Sequence, residues 1–139
     1  MEPILRREMI LDHYHHPRNK GLIDDNRYIK INTNNESCID NLDIMYLIED
    51  GVIKDIRFDG DACAISTSAT SVMIESLIGK DKDEALKILE NYENMIHERE
   101  YDENILGELT LYDEIYKQPN RKNCALLPFE SLKKVINRL

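Results

Sequence analysis

Asn41-Leu42-Asp43-Ile44-Met45-Tyr46-Leu47-Ile48-Glu49-Asp50-Gly51-Val52-Ile53-Lys54-Asp55-Ile56-Arg57-Phe58 is the stretch that decides the fold. Leu42, Ile44, Tyr46 and Ile48 alternate with Asn41, Asp43, Met45, Leu47 and Glu49, the period-2 pattern of a strand with two unlike faces. A second β-rich run, Val52 to Phe58, follows Asp50-Gly51. Gly accepts positive φ without a steric penalty, so this pair predicts a hairpin. Met45 and Leu47 make the opposite face partly apolar, which predicts cover on both sides of the sheet.

Upstream, Tyr28, Ile29 and Ile31 read as a short strand, and Asn32 to Asn35 as a loop. Before them, Pro3 to His15 reads as a helix with Pro3 in its first turn. Ile4, Leu5, Leu11 and Tyr14 share its broad face, and Pro17 and Gly21 punctuate the chain after it. His13, His15 and His16 are expected at a solvated or partner-facing helix end.

Downstream, Ala64 to Ile78 reads as a helix with Ile65, Ala69, Val72, Met73 and Leu77 on its apolar face and Gly79 at its C-terminal end. Ser66, Thr67, Ser68, Thr70 and Ser71 are poor helix formers that suit a closely packed helix. Asp81 and Glu84 form an acidic variant of the capping box for a helix through Leu86, Leu89, Tyr92 and Ile96. Asp102 caps a third, carrying Ile105, Leu109, Tyr112 and Ile115, which Pro119 is expected to end. Pro128 to Leu139 closes the chain as an amphipathic helix. Tyr92, Tyr101, Tyr112 and Tyr116 read as ordinary, partly buried side chains. The order predicts an α+β fold, a small, mainly antiparallel three-stranded sheet with helices packed against it, as one domain over residues 1–139.

With 139 residues, 42% of them hydrophobic, the chain can bury a core without staples. A net charge of -9 argues against binding nucleic-acid phosphates and permits a protein partner with a basic surface. The first residues lack a secretory signal and no apolar run approaches a membrane span, so the expected location is cytoplasmic. Three cysteines cannot all pair within the chain.

Each cysteine is expected where one element gives way to the next. Cys38 precedes the hairpin, Cys63 lies between the hairpin and the following helix, and Cys124 precedes the last helix. Asp40 stands two residues from Cys38. Gathered at one end of the sheet, three thiolates and a carboxylate would make a closed tetrahedral site suited to zinc. There is no Cys-x-x-Cys pair, and spacing alone equally allows the cysteines to be small buried hydrophobes. Arg121 and Lys122 are near Cys124 in sequence and could steady negative charge at such a site.

Specific motifs run through the chain in order. They are Asp12-His13-Tyr14 with His16-Pro17-Arg18-Asn19-Lys20-Gly21, and Ser37-Cys38-Ile39-Asp40. Phe58-Asp59-Gly60-Asp61-Ala62-Cys63-Ala64-Ile65-Ser66 follows, then Ser68-Ala69-Thr70-Ser71, and last Arg121-Lys122-Asn123-Cys124-Ala125-Leu126-Leu127. This series resembles the U-type iron–sulfur assembly family: IscU and SufU proteins and the N-terminal domain of NifU. Cys63 and Cys124 are 61 positions apart, and Asn123 stands where IscU proteins carry His, so the resemblance points to the SufU branch.

That resemblance implies zinc on Cys38, Asp40, Cys63 and Cys124. It also implies a SufS-type cysteine desulfurase as partner and downstream SUF cluster-assembly machinery. Cys38 would be the sulfur acceptor and Arg121 a helper in ligand exchange, making the protein a zinc-dependent sulfurtransferase that carries persulfide. Two alternatives use the same ligands: a scaffold that assembles a [2Fe–2S] cluster, with iron as the metal, and a structural zinc module that binds partners. Ile39 and Ala62 stand where the family pattern has Gly. A β-branched Ile resists the backbone freedom that Gly allows, so Ile39→Gly is expected to speed sulfur acceptance.

Overall fold

The structure is a computed structural model that describes residues 2–34 and 41–139; for Thr33 and Asn34 only the backbone is described. Cys38, Ile39 and Asp40 therefore lie outside the described residues, as do Asn35 and Ser37. The fold is α+β. Strands β1 (Ile29–Asn34), β2 (Asn41–Glu49) and β3 (Val52–Asp61) form an antiparallel sheet in the order β1-β2-β3. The β2–β3 turn is at the expected Asp50-Gly51, where both residues have positive φ, 54° and 74°. This suits the twist of the flanking strands.

The strand β1 runs further than expected, taking in Asn32 to Asn34 in place of a loop. Asn32 makes this possible on the exposed side, where its side-chain amide donates to Asn41 Oδ1 at 2.7 Å and Asp43 Oδ1 at 2.8 Å. Leu42, Ile44, Tyr46, Ile53, Ile56 and Phe58 are buried in the core with the helices. The expected second apolar cover is not what the far face shows. Among the described residues it carries ion pairs, Lys30 to Asp43 at 3.8 Å and Arg57 to Asp55 at 3.1 Å. Met45 is buried between its register partners Lys30 and Arg57.

Helix α1 (Pro3–His15) packs against α2 (Ala64–Leu77), but not with its expected face. Ile4, Leu5 and Tyr14 are exposed, at 66%, 48% and 37%. The inward residues are Arg6, Met9, Ile10 and His13, which share one side at helical spacing. His13, expected at a solvated or partner-facing helix end, is 4% exposed. It is drawn in by polar partners, Ser71 Oγ at 2.9 Å from Nδ1 and Glu108 Oε2 at 3.2 Å from Nε2. His15 and His16 are exposed as expected.

Helix α3 (Lys82–Ile96) carries the predicted capping box, with both reciprocal bonds between Asp81 and Glu84 made. Asp102 caps a helix as predicted, but α4 stops after Glu103–Leu106. Gly107 turns the chain at φ 53° into 3-10 helices, Gly107–Tyr112 and Ile115–Lys117. A residue at positive φ cannot continue an α-helix, so the expected third helix is broken there.

The largest correction concerns helix α5, which runs from Pro119 to Ile136. Pro119 opens it, because the first helical position needs no N–H donor. Pro128, expected at the start, sits inside. Among the described residues no helix is long and apolar enough to cross a membrane.

Candidate functional site

The sheet end that leads into α2 is built by a close backbone approach. A Cβ at Gly60 would collide with the Asn41 carbonyl oxygen, so β3 can lie against β2 here only with glycine. Asn41 is paired with Asp61. The segment holding Cys38 and Asp40 thus joins β2 at the end of the sheet where the chain leaves toward Cys63. Gly60 has φ 133°, whereas Ala62 is not among the described residues of positive φ. Glycine's freedom is therefore not needed at position 62, and Ala62 packs half-buried against the core.

Cys63 is the N-cap of α2, in extended conformation. Its sulfur accepts from the Ser66 amide at 3.4 Å and lies 3.6 Å from Ser66 Oγ. Sulfur here takes the place of the usual capping oxygen. Ser66 Oγ in turn donates to the Cys124 carbonyl at 3.0 Å. Cys124 is 7% exposed, and its Sγ lies 3.9 Å from the Asn120 carbonyl in the first turn of α5. Cys124 is thus in a helix and not, as expected, in the loop before one. One serine hydroxyl connects the two cysteine-bearing elements.

Pro128 explains why that hydroxyl is required. It lacks the N–H that would bond the carbonyl four residues back, which is that of Cys124. Ser66 supplies a donor there, and Tyr92 Oη donates to the next carbonyl, of Ala125, at 2.6 Å. A buried carbonyl left without a partner would cost about 1–3 kcal/mol. The proline is tolerated because neighbouring hydroxyls replace backbone donors.

The other hydroxyls of α2 are used in the same way. Thr67 donates to the Ala62 carbonyl at 3.3 Å and Thr70 to the Ser66 carbonyl at 2.6 Å. Ser68 receives Tyr112 Oη at 2.7 Å, and Ser71 receives the Arg18 amide at 2.9 Å. Burial pushes the Tyr92 and Tyr112 phenols well above their ordinary range; the bond to Ser68 only partly offsets this for Tyr112.

A cleft of about 860 Å³ opens beside Cys63, between α1 and the start of α5. Arg121, singled out from the sequence, lines it with Arg6 and Arg7 of α1. Arg6 is bound to Asp113 and Glu114, both at 2.8 Å. Lys117, and less strongly Arg6, hold the Glu114 carboxyl below its usual range. Sequence reasoning named Ser66 only as a packed helix residue within a motif and missed its link to both cysteines, and it missed Arg6 and Arg7. Ser66 could have been found three residues after a helix-capping Cys63, the spacing of a cap's acceptor and its amide.

Of the four expected ligands, Cys63 and Cys124 are brought to one edge, and Cys38 and Asp40 lie outside the described residues. Among the described residues no group of three or more His, Cys, Asp or Glu could hold a metal. Two thiols are side chains that suit a soft or borderline metal.

A three-stranded antiparallel sheet, with a cysteine capping the helix after it and a second in the last helix, defines a recognisable class. Residues 5–125 match the NifU-like N terminal domain family, and the chain belongs to it. It is similar to the zinc-dependent sulfurtransferase SufU of Bacillus subtilis (strain 168), 34% identical over 94% of this chain and 88% of that protein. It is also similar to the iron–sulfur cluster assembly scaffold protein IscU of Thermotoga maritima, 33% identical over 95% and 92% of the two chains. A crystal structure from Fervidobacterium islandicum AW-1, described as a SUF-system scaffold protein, superposes with a TM-score of 0.82. It is 37% identical and covers 91% of this chain and 92% of that one.

Proposed function

We propose that this protein serves iron–sulfur cluster assembly by accepting sulfane sulfur from a SufS-type cysteine desulfurase and carrying it onward to SUF machinery. The observation that carries this reading is the Cys63–Ser66–Cys124 connection, at the sheet end joined by the Cys38–Asp40 segment. The similarity to SufU and the Asn before Cys124 support transfer over assembly on the protein.

Cys38, Asp40, Cys63 and Cys124 would hold zinc, which when bound would keep the thiols deprotonated and the segments that carry them together. The chain's own chemistry is nucleophilic. The Cys38 thiolate attacks the outer sulfur of the desulfurase persulfide, the sulfur–sulfur bond breaks, and the desulfurase cysteine leaves as a thiolate. Ser66 keeps Cys63 and the Cys124 backbone in place while this occurs. Cys63 and Cys124 stay behind as the fixed part of the site.

The second reading, a [2Fe–2S] scaffold, is favoured by the similarity to the Thermotoga maritima IscU. Elemental analysis after purification without oxygen separates the two. Zinc, with stimulation of a desulfurase that Cys38→Ala abolishes, is the expected result. Iron with acid-labile sulfide would establish the scaffold instead. Zinc without any stimulation would leave a structural module. A strong chelator is expected to lower the melting temperature of the zinc form.

A further inference from the structure

The chain carries eight arginines against an overall charge of -9. Six have polar partners for their guanidinium groups. Arg6, Arg18, Arg27, Arg57 and Arg99 pair with carboxylates, and Arg138 donates to Tyr46 Oη. Among the described residues Arg7 and Arg121 have neither an ion pair nor a side-chain hydrogen bond, and both line the cleft beside Cys63. They come from different elements, α1 and α5. The carboxylate that shares the cleft, Glu114, is already engaged by Arg6 and Lys117. In so acidic a chain, two uncommitted guanidiniums lining one cleft are a place prepared for anionic groups, and guanidinium is the side chain best shaped to take a carboxylate.

The rest of the cleft fits a small molecule. Pro3, Ile10, Leu11 and Ile65 supply apolar wall, and a volume of about 860 Å³ is within the range of small-ligand sites. Cys63 lines the same cleft, so a molecule seated there is beside one of the proposed ligands of the site that would carry sulfur.

We propose that this cleft binds a low-molecular-weight thiol bearing carboxylates, held by Arg7 and Arg121, and that this thiol takes sulfur from the site. The transfer rests on the carrier reading above; the binding does not. The ligand's thiol loses its proton to solvent and its thiolate attacks the outer sulfur of the protein persulfide. The protein sulfur–sulfur bond breaks, the cysteine returns as a thiolate, and the ligand leaves as a persulfide. No oxidant or reductant is consumed.

Binding is tested first, by calorimetric titration of the full chain with S-methylglutathione, which has two carboxylates and no thiol, and with its diethyl ester. Saturable binding of the acid but not the ester is expected, weakened about tenfold or more in Arg7→Gln/Arg121→Gln. The variant should keep its melting temperature, because both side chains are exposed. Absent binding, or equal binding by wild type and variant, overturns the site and leaves the carrier reading untouched. Second, protein loaded with radiolabelled sulfur by a desulfurase is mixed with glutathione or its diethyl ester. Faster appearance of labelled persulfide on the acid, with the preference lost in Arg7→Gln, which leaves Arg121 in place for loading, supports the acceptor role. Equal transfer to acid and ester overturns it. Failure of the protein to load also overturns that role, by removing the carrier function beneath it, and the titration still decides the site.

Discussion

Helices α2 and α3 have almost the same length, 14 and 15 residues, and stay folded by different means. In α3 one stripe is buried, Ala85, Ile88, Leu89, Tyr92, Met95 and Ile96, and the other side meets water. Its start is fixed by a local capping box. In α2 ten consecutive or near-consecutive residues are buried, among them Ser66, Thr67, Ser68, Thr70 and Ser71. Their hydroxyls bond to carbonyls and side chains of α1, α5 and the 3-10 segment as well as to α2 itself. The difference teaches where precision is needed. A stripe of apolar groups tolerates small shifts, whereas a hydrogen bond fixes distance and direction. The helix that bears Cys63 is the one held by hydrogen bonds.

The comparison can be broken most forcefully in α3. Leu89, 1% exposed, when cut to Ala is expected to cost about 2–5 kcal/mol in chemical denaturation. The folded fraction should keep its content of the metal proposed above, and a parallel loss of metal would show that the proposed site depends on the apolar core as much as on α2. Ser66→Ala is expected to cost less, roughly 1–3 kcal/mol, yet to speed metal loss to a chelator, because the hydroxyl joining Cys63 to the Cys124 backbone is gone. Unchanged metal release would end the case for Ser66 as the site's organiser.

Alkaline pH tests the bonds that tie Tyr92 and Tyr112 to α5 and α2. Both phenols titrate above their unfolded value of about 10. Below that pH they are neutral folded or unfolded, and their contribution is intact. Above it the unfolded chain releases protons that the folded chain keeps, so stability falls by up to about 1.4 kcal/mol per pH unit for each phenol. Melting temperatures between pH 9 and 11, on the scale set by those phenols, should show this slope, and Tyr112→Phe should make it shallower. The smallest effect is expected for Asp81→Ala, about 1 kcal/mol from the lost cap of α3, with metal release unaltered.

Much of this architecture was legible because its causes are local. Alternation over Asn41 to Glu49, the Asp50-Gly51 turn and the Asp81/Glu84 box each act within a few residues, and each stands where the pattern placed it. Of the site, the sequence offered candidate metal ligands and placed Arg121 three residues before one of them, Cys124. It could not show that Arg121 faces a cleft with Arg7, since the two are brought together only by packing. Nor could it show the inward face of α1, because Arg6 and His13 are drawn in by Asp113, Glu114, Ser71 and Glu108 from distant segments.

By itself, then, the sequence determined the hairpin, the capped helices and the chemical kind of the candidate ligands, since period, turn residues and side-chain type are local properties. Tertiary structure alone decided the course of α5. A proline can open a helix or interrupt one, and Pro119 and Pro128 offered both choices. Pro128 lies inside the helix because Ser66 and Tyr92, from two other helices, bring hydroxyls to the carbonyls beside it. The same two bonds fix the backbone at Cys124, so the element that carries this cysteine was settled by long-range hydrogen bonding that no local pattern encodes.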